Sequence, residues 1–171
     1  MKKTLILLVA LAFPAIMFAQ TQRFAYVDTE YILEKIPNFQ TATEQIEKLA
    51  SQYQKEVEDG YKKLDEAYNT YQAEKALLNE SMRKKREDEI ISRERELKNT
   101  QQKYFGPEGE LFKKREELIK PIQDQVADAI NKFAEEGGYS VIFDLASNAS
   151  MVYTNPRYDM SDKILEKLGF K

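Results

Sequence analysis

Between Ile46 and Phe133 the apolar residues recur at helical steps, and nearly everything between them is charged or polar. Ile46, Leu49, Tyr53, Val57, Tyr61, Leu64, Tyr68, Tyr71 and Leu78 form one series, rich in tyrosine. Ile90, Leu97, Tyr104, Leu111 and Leu118 form a second at strict steps of seven. Ile91, Phe105, Phe112, Ile119, Val126 and Phe133 keep the same period one residue on, with a gap at Lys98. A stripe this narrow is a coiled-coil-like seam and is stable only against a partner. The pattern therefore predicts an antiparallel helical hairpin, reversing at Leu78-Asn79-Glu80-Ser81, with Ser81 capping the returning helix. One uninterrupted rod is the competing reading, since neither Gly nor Pro marks a turn there.

Thr41-Ala42-Thr43-Glu44 reads as a capping box that opens the first arm helix, which at about 1.5 Å per residue spans about 57 Å to Leu78. Gly106-Pro107 and Pro121 should bend or break the returning helix. Gly137-Gly138 should end it.

Short β segments flank the arm. Phe24-Ala25-Tyr26-Val27 reads as a strand, followed by Asp28 as the cap of a short helix carrying Tyr31, Ile32 and Ile36 until Pro37 stops it. Beyond the arm, Tyr139, Val141, Phe143 and Leu145 alternate with Ser140, Ile142 and Asp144, giving one apolar and one mixed face. Ser147-Asn148-Ala149-Ser150 is a turn, Met151-Val152-Tyr153-Thr154 a further strand, and Ser161 to Leu168 a last helix stopped by Gly169. These strands can be buried only by meeting one another, which makes the arm an insertion in one small sheet. Such a sheet has two open edges, and closing several copies into a barrel removes them. A monomer with edges covered by helices is the bland alternative. The expected fold is thus α+β and predominantly helical: a long antiparallel α-helical hairpin inserted in a small β-sheet body that closes into a barrel on oligomerisation.

Lys2 and Lys3, the apolar run from Leu5 to Phe13, Pro14 and the stretch ending at Ala19 read as a signal peptide cleaved near Ala19, too short and too interrupted for a spanning helix. With Lys2 and Lys3 removed, the excess of acidic over basic residues rises from three to five. Zero His and zero Cys exclude imidazole and thiol chemistry, zinc fingers and disulfides, and the acidic balance gives no support to nucleic-acid binding. No cofactor or metal site is expected.

Phe24-Ala25-Tyr26-Val27-Asp28, Ile32-Leu33, the charged hairpin, Lys120-Pro121-Ile122-Gln123 and Tyr139-Ser140-Val141-Ile142-Phe143-Asp144 together resemble the Skp (OmpH-like) family of periplasmic chaperones. The resemblance runs from about Arg23 to Phe170. It implies an ATP-independent holdase in the periplasm: a homotrimer whose barrel body carries three arms around a cavity for unfolded outer-membrane β-barrel proteins. The family's best-known members are strongly basic, whereas this chain is acidic. On this plan residues 1–19 are the signal peptide, 20–40 and 138–171 the oligomerisation body, and 41–137 the arm.

The residues expected in the oligomer interface are Phe24, Tyr26, Val27, Val141, Phe143, Leu145, Val152 and Tyr153. Gly106, Pro107 and Pro121 are the expected hinges. Client contact is expected at Tyr61, Tyr68, Tyr71, Leu77, Leu78, Met82, Arg83, Lys84, Lys85 and Arg86, with the tips available for membrane-surface contact. The last four follow the reversal as the densest basic cluster and suit steering of acidic client segments, although a solvated helix face would look the same. Asp28 and Asp144, each after an apolar strand, are the one candidate acid and base pair, but capping explains both more cheaply and no enzyme is expected. A tether holding one folded partner is the alternative function.

Overall fold

The computed structural model describes residues 22–147 and 151–170. The expected signal peptide and the Asn148-Ala149-Ser150 part of the expected turn lie outside the described residues. Strand β1 (Arg23–Val27) leads into helix α1 (Thr29–Glu34), where Asp28 accepts from the Tyr31 amide at 3.0 Å as the expected cap. Helix α2 (Pro37–Glu74) begins four residues earlier than the capping-box reading placed it. Pro37 starts the helix instead of stopping one, because its fixed φ suits the first turn and its missing N–H is not needed there. Thr41 is already inside and donates its hydroxyl back to the Pro37 carbonyl at 3.1 Å.

The chain then reverses. Helix α3 (Glu80–Phe105) is capped by Asn79, which accepts from the Met82 amide at 2.9 Å, so the cap is Asn79 and not Ser81. The pairings Tyr53 with Tyr104, Tyr61 with Gln101 and Tyr71 with Glu87 run in opposite senses along α2 and α3, as an antiparallel hairpin requires. Residues 106–109 interrupt the returning side before helix α4 (Glu110–Leu118). Helix α5 (Lys120–Gly137) follows almost without a gap: Ile119 closes α4 on Arg115 O and opens α5 by accepting from the Gln123 amide. Pro121 therefore sits in a first turn, where a missing donor costs little, and marks a joint more than a break. Gly138, at φ 60° and ψ 37°, supplies the left-handed cap that ends α5.

Strand β2 (Tyr139–Asp144) pairs in parallel with β1, with Phe24 opposite Val141 and Tyr26 opposite Phe143. Parallel pairing demands a long crossover, and here the whole hairpin is that crossover. The expected third strand at Met151–Thr154 does not form, and the sheet of the described residues has two strands. Val152 is wholly exposed and Tyr153 80% exposed. A single-turn helix at Pro156–Tyr158 then brings Met160 N to the Tyr26 carbonyl, and helix α6 (Ser161–Leu168) closes the body.

Among the described residues three apolar clusters hold this together, the first two bridged by Phe39 and Ile122. The body cluster joins Val27, Ile32, Ile36, Val126, Ala129, Ile164 and Leu165. At the base of the arm Ala42 and Ile46 meet Ile119, and further out Val57 meets Leu97 and Tyr104. The packing thins from body to tip.

Candidate functional site

The sheet presents its more apolar face outward. Ala25 and Val27 are buried against the helices and Ile142 packs on the same core, while Phe24, Val141 and Phe143 on the opposite face stay half exposed. Val141 and Phe143, expected at the oligomer interface, are therefore available at the surface of the single chain. The inner face accepts the mixed residues because Asp144 is satisfied there: its carboxylate takes the Thr29 amide at 3.1 Å, the Thr29 hydroxyl at 2.8 Å and the Ala146 amide at 3.1 Å. Asp28 and Asp144 thus serve caps and turns, and no three or more carboxylates among the described residues cluster so as to hold a metal ion.

Phe24, Tyr26, Phe143, Tyr153, Tyr158 and Met160 help line an open groove of about 620 Å³ beside this face. Of the residues expected at an interface, Phe24, Val141, Phe143, Val152 and Tyr153 are exposed, and Phe24, Phe143 and Tyr153 line the groove. Val27 does not, because it is in the body core; Tyr26 is buried too, and Leu145 is partly buried with its amide on the Val27 carbonyl.

Along the arm, Ile90, Leu97, Tyr104, Leu111 and Leu118 turn inward, and the neighbouring series turns out: Ile91, Phe105 and Phe112 are substantially exposed. Only near the body, at Ile119 and Val126, does that second series become buried. The gap at Lys98, beside buried Leu97, was the one signal in the sequence that this series is a flank. Tyr61 and Tyr68 are half exposed, Met82 likewise, and Leu77 is 87% exposed at the tip. Tyr71 is only 4% exposed, its hydroxyl donating to Glu87 across the hairpin, so a client could reach it only by displacing that bond.

The basic cluster divides. Arg83 donates to the Leu78 carbonyl at 3.0 Å and holds the turn, and Arg86 lies 3.5 Å from Glu89 and 4.0 Å from Glu74. Lys84 and Lys85 point into solvent with no ion pair among the described residues.

Where the returning helix breaks, Tyr53 and Tyr104 stack with ring centroids 3.9 Å apart and planes 4° from parallel. Tyr53 donates to Glu110 at 2.6 Å and Tyr104 to Glu56 at 2.9 Å, while Lys103 lies 3.2 Å from the other Glu110 oxygen. The bond to Glu110, then burial, pushes the Tyr53 hydroxyl up to about 12. The same bond, then Lys103, holds Glu110 below the usual carboxylate range. A raised group stabilises fully below its unfolded value of 10.0 and loses that contribution as pH climbs through about 12. Glu110 has the opposite sign: its contribution is present above pH 4.5 and is lost as pH falls through its depressed value. Tyr71 and Tyr104 are raised as well, by their bonds to Glu87 and Glu56, so ultraviolet difference titration should find several late-ionising tyrosines, one fewer of them in Tyr53→Phe; an unchanged late fraction in that variant would contradict the bond.

The described residues thus combine a small sheet with a half-exposed apolar face and a long hairpin whose flanks carry partly exposed apolar side chains. Residues 23–168 match the family model described as outer membrane protein (OmpH-like), and the chain belongs to that family. It is 25% identical over 158 residues to the chaperone protein Skp of Yersinia enterocolitica, covering 92% of this chain and 93% of that protein. Its fold is similar to a crystal structure from Caulobacter crescentus CB15 described as a candidate outer membrane chaperone (OmpH-like). The TM-score is 0.64 at 12% identity, over 90% of each chain.

Proposed function

We propose that this protein is an ATP-independent holdase chaperone of the periplasm that keeps unfolded outer-membrane β-barrel proteins from aggregating. It is not an enzyme. It acts as a homotrimer: residues 20–40 and 138–171 form the joined body, and the 41–137 arms enclose the client. The exposed flanks of the arm carry the reading. Tyr61, Tyr68, Ile91, Phe105 and Phe112 offer half-exposed apolar area along the helix pair. Side chains of this kind, amphipathic and spaced along a scaffold, suit weak contact with many sequences. Family membership and the similarity to the Yersinia protein support the same reading. The test is promiscuity. Mature protein without nucleotide should suppress aggregation of several unrelated unfolded outer-membrane proteins; capture of one folded partner alone would favour the tether.

The tip steers the encounter. Arg86 is ion-paired and Arg83 is tied to the turn, so Lys84 and Lys85 are the mobile, solvent-facing part of the steering charge. Their field is screened over about 10 Å at 0.1 M salt. Lys84→Gln with Lys85→Gln should slow capture of an acidic unfolded client at low salt and change little at high salt, without disturbing assembly. Stopped-flow association over a salt series decides it, and an unchanged low-salt rate would assign capture to the apolar flanks alone. Contact of the same tips with a membrane surface, through Leu77, Met82 and these lysines, is part of the proposal.

A further inference from the structure

The two sides of the arm are built differently. α2 runs unbroken for 38 residues, whereas the returning side is interrupted at 106–109. Two helices packed about 10 Å apart cannot bend together without sliding, and a bend of about 20° changes their relative path by about 3 Å. The short turn at 106–109, where Gly106 N bonds Gln102 O and Gly109 N bonds Gly106 O, is where the returning side can take up that slack.

The apolar packing is also interrupted at this level. The cluster of Ala42, Ile46 and Ile119 lies on the body side, and that of Val57, Leu97 and Tyr104 on the tip side. A polar junction bridges the gap. Glu110, the first residue of α4, is held through one carboxylate oxygen by Tyr53 of α2 at 2.6 Å and through the other by Lys103 of α3 at 3.2 Å. Three helices are thereby tied across the break, and every bond in the tie involves Glu110. The Glu110 and Lys103 side chains remain 41% and 62% exposed, so water can replace the pair at small cost, which a buried apolar contact would not allow.

We propose that the Tyr53–Glu110–Lys103 junction is a lock on the flexure of the arm. Closed, it fixes α4 in register with α2 and α3 and keeps the arm stiff; open, it releases the turn at 106–109 to absorb the sliding that bending needs. The consequence for cavity size rests on the holdase reading, but the mechanical claim does not. Tyr53, Lys103 and Glu110 act as positioning residues.

The chain has no Cys, so labels can be placed at will. Ser92→Cys on α3 and Lys132→Cys on α5, both at exposed positions on either side of the break, report the bend by pulsed electron spin resonance. The measurement uses full-length mature protein, diluted with unlabelled chains and without client. The parent should give one narrow distance distribution. Tyr53→Phe, which keeps the ring stack, and Lys103→Met should each add a shorter component while far-ultraviolet helicity is unchanged. Lys62→Met removes only the pair with Asp59 inside α2 and should leave the distribution as in the parent. An unaltered distribution in both lock variants, or equal broadening by Lys62→Met, overturns the lock. Aggregation suppression measured separately tests the holdase reading, so either can fail while the other stands.

Discussion

Ile32→Ala and Ile164→Ala will each destabilise the body by about 2–5 kcal/mol, the range for removing a large buried aliphatic group and leaving part of its cavity. Both residues have no solvent exposure, and they reach the same cluster from different elements, Ile32 from α1 and Ile164 from α6. Helices of six and eight residues are too short to persist alone, so their burial against Val126 and Ala129 of α5 is what keeps them folded. The loss is a large share of the roughly 5–15 kcal/mol that holds a typical domain together. Urea titration followed by circular dichroism should show a lowered midpoint for both variants. Leu97→Ala, in the thin cluster of the arm, should cost less because the site can collapse toward solvent and Gly60 already touches the Leu97 side chain. An Ile164→Ala midpoint equal to the parent's would mean that α6 is not part of the load-carrying core.

Local chemistry was legible in the sequence wherever a single residue type settles a backbone need. Asp28 before a helix, Gly138 and Gly169 in the left-handed region after one, and the Ser161 to Leu168 helix all follow from the chain within a few residues. Ambiguity entered where one residue type serves two roles: Pro37 can stop a helix or start one, and Thr41 resembles a cap when seen without the residues that already coil before it. The paired heptads show a second limit. Series one residue apart, such as Leu97 with Lys98 and Tyr104 with Phe105, have equal periods, and only the position of the partner helix decides which is the seam. The junction at Glu110 was invisible for the same reason, since Tyr53 and Glu110 are 57 residues apart. The Met151–Thr154 segment failed differently. Its composition is that of a strand, yet a strand is defined by its pairing, and among the described residues the segment pairs with no other strand.

That missing neighbour motivates the expectation for assembly. Mature protein should sediment as a trimer, and Val141→Asp and Phe143→Asp should each reduce it to smaller species. Both side chains stand half exposed on the outer face of β2, where a carboxylate in a lone chain meets water and disturbs nothing in the core beneath. In the joined body the same carboxylate would be removed from water without a partner, which is costly enough to reject the association. The variants thus separate assembly from folding: their arm helicity should stay, while their sedimentation changes. Lys132→Asp, at an exposed position on α5, should change neither helicity nor sedimentation. Hydrogen exchange supplies the second reading, because in a lone chain Val152 and Tyr153 are open to solvent. Their amides should be protected in the parent, where a neighbouring copy supplies the edge that the chain lacks, and should exchange freely in Val141→Asp. A parent that remains monomeric at every concentration would remove the barrel, and the outward apolar face of the sheet would then have to be assigned to the client itself.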